Sequence, residues 1–273
     1  AVTVSDVTDE LVVTTTADTL DGDTSSIGAL NLNKGADGKI SLREAILAAN
    51  NTPNGSASSD RITFNIAGAG THVLSPTSAL PDITDAVTID GTTQPGFAGT
   101  PLIELIGDAA GIGVTGLTLG GGSSGSTIRG LVINGFDERA ILITGGSGSN
   151  LIAGNYLGTD ATGMTGRGNW AWGIDIINSG SGNIIGGLTT ADRNVISGNG
   201  LGGVALNGGS VTNTVIQGNY IGLDTTGTQV IGNGYGGIFL QYNTTNTTIG
   251  GSAAGEGNVI AGSTFGTVSS GYP

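Results

Sequence analysis

The sequence has no cysteine, one histidine and one methionine among its 273 residues. Without cysteine, disulfides cannot staple the fold, so its stability must come from the stacking of its parts. Basic residues are also scarce, with 8 Lys and Arg against 21 Asp and Glu, and the net charge is −13. This charge excludes nucleic-acid backbones and anionic membrane surfaces as partners. No apolar run approaches the roughly 20 residues of a membrane span, so membrane insertion is not expected.

Glycine, in contrast, is abundant, with 53 residues against a usual share of roughly 7%. It does not recur at every third position, which excludes collagen, and branched apolar residues are too common for a disordered chain. The glycines are therefore expected to lie in turns that separate many short strands. An acidic, cysteine-free composition and a start at Ala1 are typical of a mature prokaryotic extracellular protein. We expect the protein to be secreted or held at the cell surface of a prokaryote.

Internal repetition is the most informative feature of the sequence. Gly154–Gly158 matches Gly218–Gly222, and Asn194–Ile196 matches Asn258–Ile260, each pair 64 positions apart. Within this unit, short apolar strands begin about every 19 to 23 residues, near Asn150, Trp172, Asn194, Asn213, Gly236 and Asn258. The spacing predicts a right-handed parallel β-helix in which 64 residues make three coils. Recurring asparagines such as Asn155 and Asn219 are expected to form an amide ladder along one corner.

The first 60 residues follow a different pattern. Ser41 and Glu44 have the spacing of a capping box, and Leu42, Ala45 and Ile46 begin an apolar face, which predicts a helix over residues 42–50. Such a helix would cover the exposed end of a β-helix. The predicted fold class is therefore all-β, a right-handed parallel β-helix (solenoid) with a short N-terminal capping α-helix. Residues 1–60 form the strand and helix cap, and residues 61–273 form the coils.

The segment Ile40–Asn50 (ISLREAILAAN) resembles the CSLREA domain of large bacterial surface proteins. Segments Ala17–Gly22, Asp90–Gly96 and Pro101–Leu105 are also similar to segments common in these proteins, as are the downstream Gly-Asn-Tyr-Ile-Gly and Asn-Val-Ile-Ser-Gly-Asn repeats. The cysteine that leads the family motif is Ile40 here, so any role of that thiol is absent. The resemblance implies an extracellular parallel β-helix, often one module of a longer protein, and it implies no single activity.

A calcium loop is one candidate site. Asn33, Asp37 and Glu44 follow the loop spacing, with glycine at the sixth position, and Asp21 and Asp23 offer further oxygens from the preceding loop. The third position is a glycine, which has no side-chain ligand, and the capping box alone also explains Glu44. The cofactor prediction is therefore either none or Ca²⁺.

Catalytic candidates are weak. Asp175, Asp192 and Arg193 are the best set, since Asp175 is expected to point outward between Ile174 and Ile176, but an exposed strand residue beside a polar turn is the simpler interpretation. Repeated aspartates at positions 160 and 224 are interpreted as turn residues that cap their own backbone, and the single histidine, at position 72, as a surface or edge residue. The sequence favours a non-catalytic protein. If it is an enzyme, the fold indicates a polysaccharide lyase or a glycoside hydrolase.

Trp170 and Trp172 lie two positions apart, so both would project from one face of an extended segment. Such a pair could stack on a sugar ring, pack beneath the turn at residues 158–169 or fill a subunit contact. A contact surface is favoured over a sugar site because glycan sites usually add nearby carboxylates or amides. The coil edge after Asn258–Ala261 has no recognisable second cap, while Ala1–Val4 and Glu10–Thr16 alternate like strands that could pair with such an edge.

The sequence thus predicts a non-catalytic extracellular structural protein, a cell-surface or filament subunit that self-associates head to tail or serves as a module of a longer chain. Two alternatives stay open. One is a β-helix that binds or cleaves carbohydrate, with glycans as partners, and the other is an adhesin module of a longer surface protein.

Overall fold

The computed structural model describes residues 9–55, 59–264 and 268–270. The expected strand at Ala1–Val4 lies outside the described residues. The described chain is mostly β, and its strands form three sheets in which every paired strand runs parallel to its neighbour. The coarse fold class, an all-β chain built from parallel sheets, is therefore confirmed.

Each sheet is a stack of short strands that are far apart in the sequence. Sheet A contains Glu10–Val13 (β1), Asp60–Phe64 (β2), Val87–Asp90 (β4), Thr127–Arg129 (β7), Leu151–Ala153 (β10), Ile184–Gly186 (β13), Val215–Gln217 (β16) and Thr248–Ile249 (β19). Sheet B contains His72–Leu74 (β3), Ile103–Ile106 (β5), Leu131–Asn134 (β8), Tyr156–Leu157 (β11), Val195–Ile196 (β14), Tyr220–Ile221 (β17) and Val259–Ile260 (β20). Sheet C contains Leu117–Leu119 (β6), Ile141–Ile143 (β9), Trp172–Ile177 (β12), Gly202–Asn207 (β15), Gly236–Gln241 (β18) and Val268–Ser270 (β21).

From β4 onward the chain visits sheets A, B and C in fixed rotation, and we call each passage through the three sheets a round. Tyr156 pairs with Val195 and Val195 pairs with Tyr220, so the 64-residue repeat contains two rounds. The prediction of three coils is wrong. The predicted strand starts near Asn150, Trp172 and Asn194 correspond to β10, β12 and β14, which lie in sheets A, C and B. The prediction thus omitted every second strand, such as β11 and β13.

The core lies between the inner faces of the three sheets. Ile128, Ile152 and Ile185 are register neighbours in sheet A and are fully buried, as are Ile133, Leu157, Ile196 and Ile221 in sheet B. One continuous apolar cluster runs from Leu11 to Ile238. Each round buries its inner face only by stacking on its neighbours, so replacing one of these isoleucines by alanine would cost about 2–5 kcal/mol.

Two helices lie beside the first strands of sheet A. The predicted helix is present as Leu42–Asn50 (α2), with the complete capping box of Ser41 and Glu44. A second helix, Ile27–Leu32 (α1), was not predicted, because it has only six residues and its start depends on the N-cap Ser26. Both helices contact β1, and α2 also contacts β2. Single 3₁₀ turns occur at Gly91–Thr93 and Thr190–Asp192. Neither α-helix of the described residues has the length and hydropathy that a membrane span needs.

Asparagine ladders line the corners between the sheets. In the corner before sheet B, Asn155 Nδ2 donates to Asn194 Oδ1 (3.2 Å), Asn194 Nδ2 to Asn219 Oδ1 (2.9 Å), and Asn219 Nδ2 to Asn258 Oδ1 (2.9 Å). The predicted ladder of Asn155 and Asn219 is confirmed, with Asn194 between them. The same amides also bond backbone groups, as in Asn194 Nδ2 to the Ile152 carbonyl (2.8 Å). The ladder thereby satisfies the polar groups of buried corners.

A second ladder follows the corner before sheet C, where Asn169 Nδ2 donates to Asn199 Oδ1 (3.0 Å) and Asn199 Nδ2 to Asn233 Oδ1 (3.2 Å). A shorter pair, Asn150 and Asn183, lies in the corner before sheet A at 2.9 Å. All five of these asparagines are buried. The stack is therefore held by apolar contacts inside and by repeated amide bonds at its corners.

Candidate functional site

The outer face of sheet C carries a cavity of about 420 Å³, lined by Arg139, Trp172, Asp175, Asn207, Gln241 and Tyr242 among others. We call it the sheet C cavity. Ile174 and Ile176 are fully buried in the core, so Asp175 between them faces outward, as the alternation predicts. In register, Asp175 pairs with Leu142 on one side and Ala205 on the other. With Arg139 just before β9 and Gln241 in β18, residues from four successive rounds meet in this cavity.

Asp175 is an outward-facing carboxylate that is nevertheless 1% exposed. Its Oδ2 accepts from Arg139 Nε (2.7 Å), and its Oδ1 accepts from Asn207 Nδ2 (2.7 Å). Burial raises the pKa of Asp175 above its ordinary value, although the Arg139 bond and charge and the Asn207 bond oppose this rise. Arg139 Nη1 also donates to Glu138 Oε2 (2.6 Å), so one guanidinium binds two carboxylates.

The two tryptophans do not form the paired aromatic surface that their spacing suggested. Trp172, the first residue of β12, is 7% exposed, and its ring lies 5.0 Å from that of Phe239 in an edge-to-face contact. Trp170 precedes the strand, is 64% exposed and lines a different cavity with Phe136 and Arg167. The expectation fails because the segment becomes extended only at Trp172.

Three residues occupy the same corner, directly after the strands of sheet C. Asn178 follows β12, Gly208 follows β15 and Tyr242 follows β18, and all three have positive φ, at 46°, 113° and 55°. Asparagine and glycine adopt this conformation readily, whereas other residues lose roughly 1–2 kcal/mol. The Tyr242 side chain is 68% exposed and lines the sheet C cavity. Sequence analysis missed this residue.

Two buried polar atoms in the residues that line this cavity have no hydrogen-bond partner. They are Asn207 Oδ1 and Gln241 Nε2. Gln241 is only 7% exposed, and the two residues are register neighbours in β15 and β18. A buried polar group without a partner costs about 1–3 kcal/mol, so such atoms call for an explanation.

The other two catalytic candidates lie elsewhere. Asp192 Oδ2 accepts from the Thr189 hydroxyl (2.6 Å) and caps its own turn. The Arg193 guanidinium carbon lies 4.2 Å from the centroid of the Tyr220 ring, and Nε donates to the Gly218 carbonyl (3.1 Å). Arg193 lines a second cavity, of about 380 Å³. The structure therefore does not bring Asp192 and Arg193 together with Asp175.

The predicted calcium ligands are held by hydrogen bonds inside the helix region. Glu44 is fully buried, and its Oε1 accepts from the backbone of Asp21 (2.9 Å) and Gly22 (2.8 Å). Its Oε2 accepts from the backbone (2.9 Å) and hydroxyl (2.9 Å) of Ser41. The capping box and the preceding loop thus engage both oxygens of Glu44.

The remaining candidate oxygens are used in the same way. Asp21 Oδ2 accepts from the Ala36 backbone (2.7 Å), Asp37 Oδ1 from the Lys39 backbone (2.7 Å), Asp23 Oδ1 from Ser25, and Asn33 Oδ1 from Gly35. Within the described ranges, no three Asp, Glu or His side chains converge on a point that would hold a metal ion. The side chains predicted to bind Ca²⁺, those of Asn33, Asp37, Glu44, Asp21 and Asp23, thus bond backbone N–H groups here, and the Ca²⁺ site stays a prediction from the sequence.

The turn prediction for the repeated aspartates is confirmed. Asp160 Oδ1 accepts from the Thr162 hydroxyl (2.7 Å), and Asp224 Oδ1 accepts from the Thr226 hydroxyl (2.8 Å) and from the backbone of Thr228 (3.1 Å). The prediction of a surface or edge position for His72 holds only for the edge, since His72 begins β3, the terminal strand of sheet B. His72 is buried, and its Nε2 accepts from Gln94 Nε2 at 3.0 Å.

No family model matches the chain, and no curated protein matches it. The resemblance to the CSLREA domain therefore stays a prediction from the sequence.

Proposed function

We propose that the three sheets close into a right-handed parallel β-helix that serves as a non-catalytic structural module of a prokaryotic extracellular surface. The observation that carries this proposal is the fixed rotation of the chain through sheets A, B and C around one continuous apolar core. Parallel strands joined by a crossover are right-handed in about 98% of cases. Three sheets visited in rotation around a shared core are best joined as a solenoid.

The hydrogen bonds of the candidate catalytic residues support a non-catalytic role. Asp175 is bound by Arg139 and Asn207, and Asp192 is bound to its own turn. A glycosidase would need two carboxylates facing each other across a substrate. The polar residues of the corners instead bond one another in ladders that extend the stack.

Self-association is the second part of the proposal, and it concerns β19 and β20, the last described strands of sheets A and B. Ile249 and Ile260 pack against the core but are only partly buried, and Val259 is 45% exposed. The opposite end of sheet A is contacted by α1 and α2. An exposed strand layer with apolar residues is a template for further strands, and the partner proposed here is a second copy of the chain, stacked head to tail.

Sedimentation velocity and negative-stain microscopy over a range of concentrations test this assembly. We expect particles that lengthen with concentration, and we expect Val259→Lys to suppress the lengthening because a charge on an edge strand opposes pairing. Ile112→Lys is the matched control, since Ile112 is 95% exposed and lies in the turn between β5 and β6. Particles of one length at every concentration would contradict the self-association, as would an equal effect of both variants. Small-angle X-ray scattering of the monomer tests the rod shape independently.

A further inference from the structure

We propose that the sheet C cavity is a binding site for a neutral saccharide. The cavity lies on the outer face of sheet C, whereas self-association is assigned to β19 and β20 of sheets A and B. Its volume of about 420 Å³ lies in the range of small-ligand sites, which combine an aromatic or apolar lining with a few precisely placed polar groups. The inference therefore does not depend on the proposed assembly.

The unpaired polar atoms of the cavity match hydroxyl groups. Gln241 Nε2 is a buried donor without a partner, and Asn207 Oδ1 is a buried acceptor without a partner, on adjacent strands. A hydroxyl can donate one hydrogen bond and accept others, so a ligand with neighbouring hydroxyls satisfies both atoms. In the corner ladders, by comparison, the equivalent asparagine amides are paired with one another.

Tyr242 supplies an aromatic surface at the rim of the cavity. It takes a positive-φ position that is filled by Asn178 and Gly208 in the two preceding rounds, residues that adopt this conformation with less strain. Residues in such strained backbone conformations cluster at functional sites. An exposed phenol ring offers a surface on which the apolar face of a pyranose ring can stack. The unpaired amides beside it can bond the hydroxyl groups of the same sugar.

The charges of the site favour a neutral ligand over an acidic one. Arg139 is the cation that lines the cavity, and its guanidinium already bonds both Asp175 (2.7 Å) and Glu138 (2.6 Å). The two carboxylates already offset the positive charge of this guanidinium, and an acidic sugar would approach a protein of net charge −13.

Isothermal titration calorimetry with cellohexaose, xylohexaose and mannohexaose, and with trigalacturonate as the acidic comparison, tests the proposal. We expect saturable binding of at least one neutral hexasaccharide and no tighter binding of trigalacturonate. Tyr242→Asn, which copies Asn178, should weaken that binding by about tenfold or more. The same variant should keep or raise the melting temperature, because asparagine relieves the backbone strain.

Two further variants make the result specific. Gln241→Leu should also weaken binding, whereas Trp170→Ala should not, since Trp170 is an exposed aromatic residue outside the cavity. The proposal is overturned if none of the three neutral hexasaccharides binds, or if Trp170→Ala weakens binding as much as Tyr242→Asn. It is also overturned if trigalacturonate binds more tightly than the neutral sugars. Sedimentation of Tyr242→Asn separates this result from the proposed assembly, which the substitution should leave unchanged.

Discussion

Two sets of buried polar residues in this molecule differ in how completely they are paired. At the corners and in the helix region, Asn194 and Glu44 have their polar atoms engaged by neighbours in the stack. On the outer face of sheet C, Gln241 and Asn207 keep unpaired atoms, and burial raises the pKa of Asp175. The first arrangement stabilises the fold, while the second leaves hydrogen-bonding capacity for another molecule.

The largest effect is expected at Glu44. In Glu44→Ala the donors of Asp21, Gly22 and Ser41 lose their acceptor, and the helix loses its capping box, so unfolding should become easier by about 3–5 kcal/mol. Urea denaturation followed by circular dichroism measures the change. Glu256→Ala is the control, because Glu256 is only partly buried and accepts from one backbone group, that of Ala253 (2.7 Å). Equal losses in the two variants would contradict the difference in pairing.

A smaller loss is expected in the corner ladder. Asn194→Ala leaves Asn155 and Asn219 without their shared partner inside a buried corner, which should cost about 2–4 kcal/mol. Asn258→Ala removes the same kind of bond from a half-buried position and should cost about 1 kcal/mol. Thermal unfolding of both variants provides the test, and a ladder that contributed little would give two small and similar shifts.

The third prediction concerns pH. Because the folded-state pKa of Asp175 is raised, the folded protein holds this proton more tightly than the unfolded chain, whose Asp pKa is about 3.9. The contribution of Asp175 to stability is therefore fully present below about pH 3.9 and is lost as the pH rises through the raised folded value. Asp175→Asn, which does not titrate, should remove this part of the pH dependence of the unfolding free energy. The unfolding free energy of the unsubstituted protein minus that of Asp175→Asn should fall as the pH rises. A difference that rises with pH would contradict the prediction.

The smallest effect is expected at Gln241. Gln241→Leu removes a buried nitrogen without a partner, so stability should stay the same or rise by up to about 1 kcal/mol. Gln94→Leu is the matched comparison, since Gln94 is also buried but bonds the Ile66 backbone at both of its amide atoms (2.9 and 2.8 Å). That variant should lose about 2–3 kcal/mol. A large loss of stability in Gln241→Leu would contradict the prediction, because it would show that the Gln241 amide stabilises the fold as the Gln94 amide does.

Local features of the fold could be predicted from the sequence. The capping box of Ser41 and Glu44 is contained in four residues, and the helix that follows has the predicted bounds. The number of rounds in the repeat could not be predicted. Strands such as Tyr156–Leu157 have two residues, too few to show an alternation, and only their pairing with Val195 and Tyr220 reveals that 64 residues make two rounds.

The candidate site was less accessible to sequence analysis than the fold. The sequence grouped Trp172 with Trp170, and Asp175 with Asp192 and Arg193. In the structure Trp172 and Asp175 are instead joined by Asn207 and Gln241, because β12, β15 and β18 are in register. Tyr242 becomes conspicuous only when it is aligned with Asn178 and Gly208. Asn178 and Tyr242 are 64 positions apart, so the internal repeat alone could have aligned them. Gly208 joins them only through the pairing of β12, β15 and β18.

The two-round repeat also determines how such a chain can lengthen. The turns that follow β11 and β17 lie two rounds apart, yet the Thr225 backbone donates to the Gly163 carbonyl at 3.1 Å, so these longer turns stack directly on each other. Duplication of one 64-residue unit would add about 10 Å, two strand spacings, and would place a new turn in line with the existing row. A chain of this kind can thus lengthen by two rounds at a time, with its longer turns kept in one row along the stack.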